Sequence, residues 1–170
     1  MSSIKAVLLI VLLVATLTDL SQRRIPNLLT YPAMLMGALV NSYQSGVDGL
    51  LFGMGGVALG LGLLLIFHLL GMMGAGDVKL MGAVGSFLGP MGVFQAFLFT
   101  ALAGGVYAVI VLALKGQLIR FLKRLWQSLY LSIVQRKPML LPDEGAKELP
   151  VLCYGVAIAV GTTVSMFYRF

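Results

Sequence analysis

Two aspartates, Asp19 and Asp77, are the residues of this chain whose type and placement could do chemistry. Asp77 stands in Gly74-Ala75-Gly76-Asp77, with apolar sequence on both sides and Lys79 as its one charged neighbour. Asp19 closes the first apolar run in a similar way. A carboxylate at mid-helix in a membrane costs roughly 2.5–3.5 kcal/mol on insertion scales, and the chain has only six acidic residues. Two of those six at the ends of lipid-length segments point to chemistry. Carboxylates brought close cannot both ionise readily; they share a proton and titrate as a pair. One can then act as base on a water while the other donates a hydrogen bond to a scissile carbonyl, as an aspartic protease inside a membrane would need. The glycines before Asp77 would permit backbone forms closed to other residues and leave room for an extended peptide.

No other residues complete a catalytic set. His68 has no serine partner by spacing, and there is no paired-histidine metal motif. Gly74 to Gly76 is too short for a phosphate loop and lacks a strand–loop–helix setting. Cys153 is the single cysteine, which excludes a disulfide framework and a cysteine-cluster zinc site; it is expected to be a small packing residue. No metal and no cofactor are expected. Each aspartate also has a structural reading, Asp19 as a cap on the next segment and Asp77 as the partner of Lys79 or an arginine.

The elements that must position the pair follow from composition. Of 170 residues, 59% are hydrophobic and 11% charged, where a soluble domain averages about 25% charge. The expectation is all-α: a polytopic membrane helix bundle, residues 1–170 forming one integral-membrane domain. Lys5 and the apolar stretch after it have the outline of a signal peptide, but no small-x-small site follows, so residues 4–20 are expected as a retained first span. A span needs about 20 residues. Runs at 4–20, 28–43, 49–70, 72–89, 91–114 and 150–168 predict six, broken at Arg23–Pro26, at Gly46 and Asp48, at Gly71, and at Gly89-Pro90.

Arg23, Arg24, Lys79, Lys115, Arg120, Lys123, Arg124, Arg136, Lys137 and Lys147 fall on one side of that map, Lys5 and Arg169 on the other. By the positive-inside rule both termini face out and the basic loops face the cytoplasm, which brings Asp19 and Asp77 to the same, cytoplasmic end. The net charge of +6 is thus a topology signal, and a nucleic-acid partner is not expected. Gly49, Gly53, Gly56 and Gly60 form one smooth helix face suited to close packing within the bundle. Residues 116–136 carry leucines on one face and Arg120, Lys123 and Arg124 on the other, predicting an amphipathic helix on the cytoplasmic interface. Asp143, Glu144 and Glu148 form an acidic cluster on the same side as the pair, open to two readings, an ordinary solvated loop or a contact for a basic segment of a partner.

Gly74-Ala75-Gly76-Asp77-Val78-Lys79-Leu80, together with Asp19 followed by Arg23-Arg24-Ile25-Pro26-Asn27, resembles the two motifs of the type IV prepilin peptidases, membrane aspartic proteases of the glycine-x-glycine-aspartate group. Pro150 and Tyr154-Gly155 look like that family's C-terminal segment. The resemblance implies removal of a short basic leader from pilin-like precursors at the cytoplasmic face of a prokaryotic inner membrane. It also implies Asp19 and Asp77 as the catalytic pair and Gly74 and Gly76 as motif glycines, with Lys79, Arg24, Pro26 and Asn27 in support. Larger members carry a cytoplasmic insertion with paired cysteines and also methylate the new N-terminus. This chain has one cysteine and only Gln22 to Asn27 between its first two spans, so methylation is not expected, and the size is similar to the minimal peptidases of tight-adherence (Flp-type) pilus systems or a compact archaeal preflagellin-type enzyme. A small proton- or cation-coupled transporter with Asp19 and Asp77 as relay sites suits the same intramembrane acids, although no second copy of either motif suggests repeated halves. A catalytically silent assembly protein is the third reading.

Overall fold

The computed structural model of the chain describes residues 2–116, 119, 123, 126, 127 and 154–167. Four helices account for most of them: α1 (Ser2–Gln22), α2 (Asn27–Leu69), α3 (Ala75–Leu114) and α4 (Tyr154–Phe167). Among the described residues there is no strand. Of the amphipathic helix expected at 116–136, Ile119, Lys123, Trp126 and Gln127 are described and are helical. Gly116 is described and lies in a turn; the rest of that segment, the acids Asp143, Glu144 and Glu148, and Cys153 lie outside the described residues.

Local chemistry sets the helix ends. Arg23 turns left-handed at φ 52° and its N–H bonds to the Asp19 carbonyl at 2.8 Å, closing α1. Pro26, at φ −70° and ψ 141°, opens α2, its carbonyl accepting from the N–H groups of Leu29 (3.0 Å) and Thr30 (3.3 Å). The C-terminal end of α2 carries a paired stop: Gly71 N–H donates to the His68 carbonyl and Met72 N–H to the Phe67 carbonyl, both at 2.9 Å. Gly71 sits at φ 72°, a conformation in which a side chain would be strained.

The expectation of six separate membrane helices is corrected. Among the described residues three helices, α1, α2 and α3, are long and apolar enough to cross a membrane, and α4 is a shorter apolar helix. Two of the expected breaks are reversals of one or two residues inside otherwise continuous helical runs. In α2 the break is Ser45 (φ −134°, ψ 17°) and Gly46 (φ 60°, ψ −134°). Beyond it the chain folds back, because a Cβ on Gly53 would come within 3.2 Å of the Ala38 Cα. On a straight helix those positions would be about 22 Å apart. In α3 the break is Gly89, at φ 72° and ψ −177°, a region open essentially to glycine alone. A side chain there would also strike the Phe52 ring.

Close backbone approach holds the helices together. Gly49, Gly53, Gly56 and Gly60 are all buried, and residues 47–69 run antiparallel to residues 75–88. A Cβ on Gly56 would collide with the Gly85 carbonyl, and one on Gly60 would reach the Met81 carbonyl at 2.5 Å. Asn41 Nδ2 ties the first half of α2 to the same segment, donating to the carbonyls of Gly37 (3.1 Å) and Ser86 (2.8 Å). Lipid is as apolar as leucine, so this contact and the hydrogen bonds, rather than escape from water, favour association. Leu8, Leu12, Leu80, Met81, Val84 and Ile158 fill the centre and are fully buried.

The chain divides into two compact units, Met1–Gly104 with Cys153–Phe170, and Gly105–Leu152. The packing above, α4 included, belongs to the first. In the second, α3 closes with Lys115 N–H on the Val111 carbonyl (3.1 Å) and Gly116 N–H on the Ala113 carbonyl (3.0 Å).

Candidate active site

Asp77 is the third residue of α3, and its surroundings are set by the turn before it. Gly74 is the N-cap: Asp77 Oδ2 accepts the Gly74 N–H at 3.1 Å, and the Asp77 N–H donates to the Gly74 carbonyl at 3.2 Å. A carboxylate reaching back from the third helical position satisfies one of the free N–H groups at the helix start and faces the positive end of the dipole. The turn is fastened on its other side by His68, whose Nδ1 lies 3.0 Å from the Met73 carbonyl. A carbonyl can only accept, so this nitrogen carries the proton.

Asp19 is held at a different helix start. Its Oδ2 accepts the N–H of Gly155, in the first turn of α4, at 3.0 Å. Gly155 is buried and has no spare room, since a Cβ there would lie 2.8 Å from Asp19 Oδ2. Both aspartates are almost fully buried, at 7% and 8% exposure. Each therefore commits one oxygen to a main-chain N–H and keeps the other uncommitted among the described residues. They lie within Coulombic range of one another, and Tyr154 lies within that range of Asp77.

The two sequence motifs dock directly. Gly76 rests on the backbone of Ile25, where a Cβ would meet Ile25 Cβ at 3.0 Å and its N and O at 3.3 Å. Lys79 Nζ donates to Asn27 Oδ1 at 2.8 Å and stands 5.0 Å from the centroid of the Tyr31 ring, close enough for a cation–π contact. The start of α3 is thereby clamped to the turn between α1 and α2, which fixes Asp77 relative to Asp19. Pro26 contributes as the N-cap of α2. Arg24 is exposed and outside this cluster. Lys79 bonds to Asn27 instead of Asp77, and among the described residues neither aspartate forms a salt bridge.

Tyr31 escaped the sequence reading, which named Ile25 and Gly155 as parts of motifs without giving either a role. Tyr31 had a signal: it lies four residues after Asn27, on the same face of α2, and Lys79 in apolar sequence needs a neutral acceptor or an aromatic face. Ile25 and Gly155 act through backbone atoms, which residue type does not reveal. Among the described residues no group of three His, Cys, Asp or Glu side chains gathers as metal ligands would.

The family described as the type IV leader peptidase family matches residues 6–109, more than half of the chain. The chain belongs to that family. Membership implies a protease acting on precursor proteins and favours the peptidase reading over the transporter. The matched range includes Asp19, the Ile25-Pro26-Asn27 turn and Gly74 to Lys79, and it ends before Tyr154-Gly155. No curated protein and no solved structure matches the chain.

Proposed function

We propose that this chain is a membrane-embedded aspartic endopeptidase that removes the basic leader from type IV pilin-like precursors, with Asp19 and Asp77 as its catalytic pair. The observation that carries the reading is the pair itself: two buried carboxylates from different helices, each anchored through one oxygen and each with the other oxygen uncommitted among the described residues. In the proposed reaction the pair shares one proton and holds a water. The ionised carboxylate removes a proton from that water as its oxygen adds to the scissile carbonyl carbon, while the protonated partner donates to the carbonyl oxygen. Collapse of the tetrahedral intermediate breaks the C–N bond, and the proton taken from water passes to the leaving amine. Gly74, exposed at the rim, leaves open backbone beside which an extended peptide can lie.

The topology belongs to the same proposal. A straight 43-residue α2 would measure about 65 Å, roughly twice the hydrocarbon thickness. With the reversals at Gly46 and Gly89, α2 and α3 each cross twice, both termini lie outside, and the aspartates open to the cytoplasm. The short connection between α1 and α2 leaves no place for a cysteine-bearing insertion, so the mature product keeps a free, unmethylated N-terminus.

The test is cleavage of a synthetic precursor, with a basic leader, a glycine and an apolar helix, by the purified chain in detergent. Cleavage that persists in EDTA, with a product of unmethylated mass, is expected. Activity lost to chelator and restored by zinc contradicts the proposal.

A further inference from the structure

A second built feature lies at the opposite end of the bundle from the aspartates. Lys5 precedes Asp19 by fourteen residues on α1, about 21 Å along the helix, or roughly two-thirds of the hydrocarbon layer. There a cavity of about 440 Å³ opens between α1, both halves of α2, α3 and α4, within the usual size range of ligand sites, about 300–1,000 Å³. Its apolar wall includes Ile4, Phe52 and Met91, and its polar groups include Lys5, Gln44 and Gln95. Asn41 and Ser165 also line it, but their donors are engaged by the carbonyls of Gly37, Ser86 and Thr162.

The charge in this cavity is one-sided. Among the described residues Lys5 is its only ionisable side chain. One of the three ammonium N–H groups is used, donating to the Met166 carbonyl at 3.3 Å near the C-terminal end of α4. Among the described residues nothing engages the other two or the amides of Gln44 and Gln95, which remain for a ligand. A half-buried cation beside neutral hydrogen-bond donors, with an apolar floor continuous with lipid-facing helices, is complementary to an anionic amphiphile. The volume suits a headgroup and the start of its chains rather than an entire lipid.

We propose that this cavity binds the phosphate headgroup of an anionic phospholipid. Lys5 bonds the phosphate, Gln44 and Gln95 hold its remaining oxygens or the headgroup hydroxyls, and the first methylenes lie on Phe52 and Met91. The site is independent of the peptidase centre, and its bound lipid ties α1 to the C-terminal end of α4.

Native mass spectrometry of the purified full chain, delipidated and then titrated with phosphatidylglycerol, phosphatidylcholine or inorganic phosphate, tests this. The expected result is saturable binding of one phosphatidylglycerol, weaker binding of phosphatidylcholine and no displacement by millimolar phosphate. Lys5→Gln should weaken binding about tenfold, the effect of losing one charge-assisted hydrogen bond. Lys115→Gln, which removes an equal charge outside the cavity, should leave it unchanged. Because Lys5 also caps α4, the Gln44→Leu/Gln95→Leu variant, which leaves that cap in place, is measured beside it and should also bind more weakly. Equal binding of both lipids, displacement by inorganic phosphate, or undiminished binding in the glutamine double variant would overturn the proposal.

Discussion

At the scale of single residues, the site is two carboxylates that serve as helix caps and retain capacity for chemistry. Either aspartate alone has a structural explanation, because each bonds a main-chain N–H at a helix start. What distinguishes them is that both do so while nearly fully buried and within range of the other's charge. Their pairing was legible in the sequence, since charge distribution and span length placed both at one end of the bundle. The clamp was legible only in half: Lys79 and Asn27 could be marked as supporting residues, but the Tyr31 ring and the Ile25 backbone could not be assigned without the docked turns. The clamp predicts a coupled loss. Lys79→Met and Asn27→Ala should each lower precursor cleavage and destabilise the protein by about 1 kcal/mol, the worth of a single hydrogen bond. The double variant should be little worse than either single variant. Cleavage rates and thermal unfolding in detergent read both, and fully additive losses would mean that the two residues act separately.

At the scale of elements, glycine decides where helices touch and where they turn. The stripe from Gly49 to Gly60 was legible as a smooth face, but its partner was not, because a helical wheel says nothing of what packs against it. That partner is the Met81–Ser86 stretch of α3 together with the first half of α2. The breaks at Gly46 and Gly89 were also legible as interruptions. What the sequence left open is how brief each reversal is, with a single glycine of positive φ at the turn between two helical stretches. Position along α2 should therefore govern tolerance. Gly60→Ala drives a methyl group into the Met81 carbonyl and should cost about 1–3 kcal/mol, as overpacking does. Gly62→Ala meets nothing within 4 Å and should be neutral or stabilising by up to about 1 kcal/mol. Thermal unfolding of the two variants makes the comparison, and an equal loss from both would remove the packing argument.

At the scale of the molecule, the proposed function ties a leader-peptidase family fold to a topology and a catalytic pair. Topology is checked by labelling with a membrane-impermeant thiol reagent in a Cys153→Ala background. Asp48→Cys should react in intact cells, whereas Glu144→Cys should react only after permeabilisation; the reverse pattern would place the aspartates at the outer face. Whether the two carboxylates carry the chemistry is tested by precursor cleavage with purified Asp19→Asn and Asp77→Asn. Asparagine keeps an oxygen that can accept the Gly155 or Gly74 N–H, so both variants should fold and insert as the parent does, with matching helicity and thermal unfolding. Each should lose cleavage by at least about a hundredfold, the scale of removing a general acid or base. Parental cleavage rates from either folded variant would show that Asp19 and Asp77 are caps alone and that the catalytic pair lies elsewhere.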